Sequence, residues 1–470
     1  MKVTSEAALM GLAGIVGRAH ALTDPELLAG ALVEPRGLYR GRALALVRPG
    51  STAEAAKVLA YCNDQRIGVT PQGGNTGLVG GQTPDESGEE IILSTQRLKA
   101  IREIDPDADV MICEAGVTLA DAQAAALKAD RLFPLSLAAE GTCTVGGIAA
   151  TNAGGVTVIA YGNARDLVTG VEAVLPDGRI VNALTKLKKD NTGYDVKDLF
   201  VGSEGTLGVV TAVSLRLFPN PRAQATAFVG LESPEKALEL LRIARGRLGS
   251  AVTSFELIAR FAYDITVRHG FARAPLSGDH AWYALIEASS QIAEGFDEAF
   301  GAMLEAAFDE GVIEDAALAA SLEQRHAFWR LRESIPEAQF PEGGSIKHDV
   351  SVAVGDVPAF LKEATAAVAA FEPGARVCAF GHLGDGNIHF NVSQPIGADK
   401  AAYLSRWDAM NEVVHGVVFR MGGSFSAEHG VGRLKRGLLA RTKDAGALSV
   451  MRAVKAALDP NGVMNPGKVL

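Results

Sequence analysis

The spacing of apolar residues divides this chain at Pro219-Asn-Pro221. Before that point the apolar runs are mostly short and bounded by glycine, proline or polar residues, a pattern that predicts strands. Leu9, Leu12, Ile15 and Val16 are the exception: they recur at helical spacing and predict an amphipathic helix over residues 7–17. An irregular entry segment with Pro25, Pro35 and Gly37 follows. Strands are expected over 43–49, 67–70, 90–93, 100–104 and 110–114. A hairpin around Pro176-Asp-Gly178 joins strands over 167–175 and 180–183. One helix runs from a Ser51 or Thr52 cap to about residue 65, with Glu54 in its first turn, and another covers 119–129. The run 209–218 closes this half as an alternating strand.

Beyond residue 221 longer helical patterns alternate with strands. Helices are expected over 234–247, 293–309, 316–333, 357–371 and 403–421, and strands over 226–231, 252–257, 282–287, 347–354 and 376–380. A short helix is expected in the tail from about residue 448. The elements predict an α+β protein with an entry segment (1–40), a first domain (41–219), a second domain of ferredoxin-like α+β type (220–430) and a tail (431–470). No internal repeat or low-complexity segment is legible.

Composition narrows the class. A chain of 470 residues can bury a sizeable core in more than one domain. Its formal net charge of -10 argues against nucleic acid or an anionic membrane surface as partner. No run reaches the roughly 18 apolar residues of a membrane span. Cys62, Cys113, Cys143 and Cys378 are scattered, without a CxxC pair, which fits a reducing compartment; a cytoplasmic location is the expectation. Ala19-His-Ala21 has the small residues of a leader cleavage site, but Glu6 and Arg18 flank the apolar run and its helical spacing fits a docked helix better.

Three stretches of the first half carry candidate chemistry. In Pro71-Gln-Gly-Gly-Asn-Thr-Gly-Leu-Val-Gly-Gly81 the glycines can turn several backbone N–H groups toward one anion, such as a diphosphate. A glycine-rich hairpin without ligand accounts for the same residues. No Gly-Lys-Ser/Thr follows, so the loop is not a Walker A motif. Residues 140–155 and 202–210 are likewise built of small residues and hydroxyls, as close backbone approach to a large ligand requires. Together the three point to an extended cofactor.

The second half carries Val377-Cys-Ala-Phe-Gly-His-Leu-Gly-Asp-Gly-Asn-Ile-His-Phe-Asn391, which reads as two strands around a Gly/Asp/Asn turn. Strand alternation puts His389 and Asn391 on one face, and the hairpin brings His382 close. Further on stands Ser426-Ala-Glu-His-Gly430. Two imidazoles and one carboxylate make a site for Zn²⁺ or Mn²⁺ with positions left for substrate. A hydrogen-bonded structural histidine is the competing reading for each.

These stretches resemble the flavin-binding fold of the vanillyl-alcohol-oxidase type, in the branch of FAD-linked D-2-hydroxyacid dehydrogenases, over nearly the whole chain. The resemblance implies a two-part FAD-binding domain, an α+β cap and a C-terminal helical segment returning to the flavin domain. It implies FAD contacts at Pro71, Gly73, Gly74, Asn75, Thr76, Gly77, Gly80 and Gly81, and at Pro134, Ser136, Glu140 and Gly141. Further contacts fall on Thr144, Gly146, Gly147, Ala150, Thr151, Asn152, Gly154, Gly155 and Gly162, then on Glu204, Gly205, Gly208, Val209 and Asn465. Tyr194 and Asp195 are weaker candidates, since a turn also explains them. By the same resemblance His382, His389 and Glu428 bind a divalent metal, zinc before manganese. His429 is then the general base and contacts the substrate. Arg332, Lys347 and Asn391 bind the substrate, and Asp385, suited to the turn, stays outside the metal shell.

The activity implied is oxidation of a D-2-hydroxy acid. D-2-hydroxyglutarate comes before D-lactate or D-malate, because two cations beyond the metal suit a dicarboxylate. Pro336 stands where relatives specialised for that substrate carry Thr, so one distal contact is missing. Electrons would pass to an electron-transfer flavoprotein, a quinone or a cytochrome. An oxygen-using or glycolate-oxidase-type FAD enzyme is the alternative, a non-catalytic flavin subunit a third reading, and a homodimer the expected assembly. No histidine lies between residues 21 and 268 to attach a flavin, which predicts non-covalent FAD.

Overall fold

The structure, a computed structural model, describes residues 4–470. The chain forms two compact units. One comprises residues 4–154, 162–220 and 429–470; the other comprises 155–161 and 221–428. The boundaries expected at 219/220 and 430/431 therefore shift by one or two residues, and the short stretch 155–161, which composition did not separate, joins the second unit. Among the described residues no helix is long and apolar enough to cross a membrane.

The first unit holds two main sheets. Strands Ala45–Val47, Ile91–Ser94 and Val69–Gln72 run parallel, with Ala21–Leu22 added antiparallel at one edge. Met464 bridges Val69 at the other edge, so the tail ends as an extra piece of this sheet. The second sheet is antiparallel, in the order Ile101–Asp105, Val110–Glu114, Val209–Arg216, Val168–Val174, Ile180–Asn182. The N-terminal helix Ser5–Val16 is capped by Thr4 and buries Ala8, Leu12 and Val16 in the core that the first sheet shares with helix Thr52–Gln65. One element departs from expectation. The small-residue stretch 140–155, for which no helix is expected, contains the helix Val145–Thr151, capped by Thr144. Its Gly146 answers to packing: a Cβ there would lie 2.4 Å from the Ala115 side chain.

The second unit is one antiparallel sheet with helices on both faces. Its strands are β1 (Ala223–Leu231), β2 (Val252–Ala259), β3 (Trp282–Ser290), β4 (Asp315–Leu318), β5 (Ser345–Ile346), β6 (Asp349–Ser351), β7 (Arg376–His382) and β8 (Asn387–Ser393). The order is β4-β1-β3-β2-β7-β8, with β5 and β6 both pairing β8. Helix α1 (Pro234–Leu248) connects β1 to β2, and α2 (Phe296–Asp309) connects β3 to β4. Each pair flanks a third strand, which is the ferredoxin-like split β-α-β arrangement. The pattern then recurs. Helix α3 (Val357–Phe371) links β6 to β7 around β8, and α4 (Trp407–Arg420) returns the chain to Ser424, which bridges Ser351 of β6. The sequence shows no repeat, yet the topology repeats, and the halves meet where β2 pairs β7.

Three corrections belong to this unit. Residues 315–318 of the expected helix 316–333 form edge strand β4 on β1, and the helix starts at Leu322, where Ser321 caps it. Of the expected strand 347–354 only β6 forms, with β5 lying before it; between the two, His348 turns its Nδ1 to the Phe390 carbonyl at 2.8 Å. The expected helix 403–421 is two, Lys400–Leu404 capped by Asp399 and then α4. Helix Arg260–Arg268 was missed: its aromatic and β-branched residues favour a strand locally, but packing of Ala262, Tyr263 and Ile265 overrides that preference.

Candidate functional site

In the first unit the three small-residue stretches meet around a cleft that is partly open to solvent. Pro71, Gly73, Gly74, Asn75, Thr76, Gly77 and Gly81 line it, with Thr144, Gly146, Gly147, Ala150 and Thr151 and with Glu204, Gly205, Gly208 and Val209. His429 lines it too, as do Gln72, Val79, Gln82, Thr95, Leu137 and Cys143, which the motifs did not single out. The loops are interlocked. A Cβ on Gly74 would lie 1.8 Å from the Thr142 carbonyl oxygen. Asn75 Oδ1 and Thr95 Oγ1 are buried and make no hydrogen bond among the described residues. A polar cofactor threaded between glycine loops fits that lining.

Other residues expected at the cofactor hold protein instead and do not line the cleft. Gly80 turns at φ +69° against Tyr39. Ser136 donates to Glu140 at 2.7 Å. Asn152 ends helix Val145–Thr151 in the left-handed region and accepts the Arg165 N–H at 2.9 Å. Asn465 donates to the carbonyls of Gly81 (2.9 Å) and Glu204 (2.7 Å), tying the tail to two of the loops. Glu204 lines the cleft and also accepts the N–H groups of Val431 and Gly432, each at 2.7 Å; burial pushes its carboxyl up. Pro134, Gly141 and Gly154 lie outside the lining, Gly162 turns beside Asp166, and Gly155 belongs to the second unit.

In the second unit the chemistry sits on one sheet face. Register places Glu256 opposite His382, Asn387 opposite His382, Phe380 opposite His389 and Asp349 opposite His389. Directly paired residues share a face, so these side chains and Asn391 project together. Helices Arg260–Arg268 and Leu322–Glu333 cover this face, while α1 to α4 cover the other. The rings of His382 and His389 are 5.5 Å apart at 80°. His382 Nε2 lies 3.3 Å from Glu428 Oε1, and His389 Nε2 lies 3.8 Å from Glu428 Oε2. One donor atom from each of the three falls within 4.8 Å of the others, which is compatible with holding one cation.

The electrostatics of the three differ. Burial drives His389 down to about 4, so its imidazole is neutral, the form in which a histidine ligates a cation. Burial also opposes charge on His382, but the carboxylates of Glu256 and Glu428 outweigh it and raise His382 well above its usual 6.5. Glu428 is lowered in turn, its burial outweighed by His382 and His389. Asp385, in the β7–β8 turn, accepts the Asn387 N–H at 2.9 Å, and burial lifts it to about 6.

Two acidic residues of this face were not foreseen. Glu256, fully buried, meets His382 Nδ1 at 2.5 Å and accepts from Arg332 Nε at 2.5 Å. Asp349 accepts the Glu428 backbone N–H at 3.0 Å and the Asn387 amide at 3.0 Å. The available signal for Glu256 was a single acid between Phe255 and Leu257 in a strand with no other charge, since it must find a partner on folding; Asp349, beside Lys347 and His348, gave none. Arg332, expected to clamp substrate, is buried with its Nε on Glu256 and its guanidinium 4.8 Å over the Phe380 ring. Lys347 lies between β5 and β6 with its ammonium 5.8 Å from the Phe340 ring. Asn391 is buried on β8, two residues from His389.

Two family matches cover most of the chain, and the C-terminal one takes in residues 429–469 of the first unit as well as the second unit. Residues 220–469 match the C-terminal domain of FAD linked oxidases, and residues 43–184 match an FAD binding domain. The chain is 39% identical over 471 residues to the mitochondrial D-2-hydroxyglutarate dehydrogenase of Bos taurus, spanning 100% of this chain and 84% of that protein. It is 36% identical over 454 residues to the D-2-hydroxyglutarate–pyruvate transhydrogenase of Saccharomyces cerevisiae, spanning 95% and 90%. Among solved structures, p-cresol methylhydroxylase superposes with a TM-score of 0.78 at 17% identity, covering 99% of this chain and 96% of that one.

Proposed function

Since the chain belongs to the FAD-linked D-2-hydroxyacid dehydrogenase family and is an FAD-dependent oxidoreductase acting on CH–OH groups, we propose that it oxidises D-2-hydroxyglutarate to the 2-oxo acid and passes the electrons to an acceptor other than NAD. The supporting observation is the convergence of His382, His389 and Glu428 on the sheet face that bears Asn391 and packs the helix of Arg332.

FAD bound in the glycine cleft supplies the hydride acceptor for C2–H. A divalent cation on His382, His389 and Glu428, zinc before manganese, supplies Lewis acidity at the substrate hydroxyl. His429 follows Glu428 directly and lines the glycine cleft; its imidazole accepts the hydroxyl proton. Arg332 and Lys347 offer cations to the carboxylates, and Asn391 offers its amide. The second reading is a smaller acid, D-lactate or D-malate. Pro336, exposed in the short helix Ile335–Ala338, has no hydroxyl to give a distal carboxylate, which favours it.

The test is anaerobic bleaching of the flavin by D-2-hydroxyglutarate, D-lactate, D-malate and their L-enantiomers, before and after chelation and with Zn²⁺ or Mn²⁺ restored. Bleaching should be D-specific and chelator-sensitive, and the fastest acid identifies the substrate. No bleaching with FAD and cation both bound sinks the proposal. Oxygen consumption in the same samples separates a dehydrogenase from an oxidase.

A further inference from the structure

Glu256 lies mid-strand in Val252-Thr-Ser-Phe-Glu-Leu-Ile258 with no exposed surface. A carboxylate there is strongly unfavourable unless both oxygens are answered. Both are. Oε1 lies 2.5 Å from His382 Nδ1, and Oε2 accepts from Arg332 Nε at 2.5 Å. Register fixes the first contact, because Glu256 pairs directly with His382 across the join between the two halves of the sheet. The second comes from a helix, Leu322–Glu333, that packs on the same face. An ionised carboxylate can only accept, so Nδ1 of His382 carries a hydrogen and Nε2 is the atom turned to Glu428, 3.3 Å away. A ligating imidazole held in this way has its tautomer and ring plane set before the cation arrives.

We propose that Glu256 is a positioning residue that fixes His382 for ligation through Nε2 and anchors the guanidinium of Arg332, so that cation binding and substrate-carboxylate binding depend on one buried side chain. The proposal rests on the metal-dependent reading above and deepens it. Glu287 on β3 provides the internal control. It too is buried on this face and holds the same helix, through Arg325 Nε at 2.7 Å and Trp329 Nε1 at 2.9 Å, but its hydrogen-bond partners among the described residues do not include His382 or Arg332.

The experiment uses the full-length FAD-loaded protein reconstituted with Zn²⁺ or Co²⁺. Glu256→Gln should weaken cation affinity, read by chelator competition, by about 10–100-fold and shift the visible bands of the Co²⁺ form. It should also raise KM for D-2-hydroxyglutarate by about tenfold, as expected when a charged hydrogen bond loses its anchor. Glu287→Gln should lower the thermal midpoint yet keep cation affinity within about twofold, since the sites share no partner. Wild-type affinity and spectrum in Glu256→Gln overturn the proposal, as does equal loss in Glu287→Gln. Should Glu256→Gln not fold, ¹⁵N NMR of the wild-type protein with ¹¹³Cd²⁺ decides: ligation of His382 through Nε2 with Nδ1–H supports the proposal, and ligation through Nδ1 overturns it. A wild-type protein that binds no cation but still bleaches with a D-acid defeats the metal reading and this proposal together, while leaving the oxidation itself intact.

Discussion

Arg268, His269 and Arg376 all direct nitrogen atoms at the carboxylate of Glu342. Burial pushes that carboxyl up, but the three partners outweigh it and hold it at about 2, below its ordinary 4.5. A depressed carboxylate contributes stability that is present above its unfolded value and is lost as pH falls through the folded one. Wild-type protein should therefore weaken between about pH 4.5 and 2, and Glu342→Gln should flatten that part of the acid-unfolding curve while being less stable at neutral pH. His429 tests the chemistry at the same scale. His429→Ala should slow anaerobic flavin reduction by about 10²–10⁴-fold, as loss of a general base does, while leaving FAD bound. Such residues were unequally legible. His382 and His389 announce themselves through hairpin alternation, and Glu428 through its neighbour. Glu256 and Asp349 do not, because their partners lie 126 residues away in one case and 79 in the other; strand register joins the first pair, and a backbone N–H beyond the sheet reaches the second.

Among the elements, the long periodic helices were read closely: 357–371 coincides with α3, and 234–247 ends one residue short of α1. The misreadings share a cause. Helix Val145–Thr151 hides behind two glycines, of which Gly146 is held to a small side chain by close packing, and β4 behind alanines that favour a helix until an open sheet edge recruits them. The glycine loops allow a direct comparison. A methyl on Gly74 would strike the Thr142 backbone, whereas one on Gly141 meets nothing within 4 Å. Gly74→Ala should cost about 1–3 kcal/mol of stability, as overpacking does, and reduce bound flavin. Gly141→Ala should change neither measurably in thermal unfolding and flavin content.

Over the whole molecule, the flavin fold of the vanillyl-alcohol-oxidase type and the α+β second unit were legible, the first from three small-residue stretches and the second from alternation of strand and helix. The repeat inside the second unit was not, because it lives in connectivity rather than in matching residues. The lack of histidine before residue 269, apart from His20, bears on the whole protein as well. Acid precipitation should release all the flavin to the supernatant; yellow colour retained by the pellet would contradict a dissociable cofactor. The join between β2 and β7 has a kinetic consequence. Each half of that sheet can assemble from neighbouring segments, but the pairing of Glu256 with His382 must close a loop of 126 residues. Closure over that distance is slower than assembly within either half. During refolding, cation uptake should therefore lag the gain of secondary structure and time the moment at which the seam zips shut.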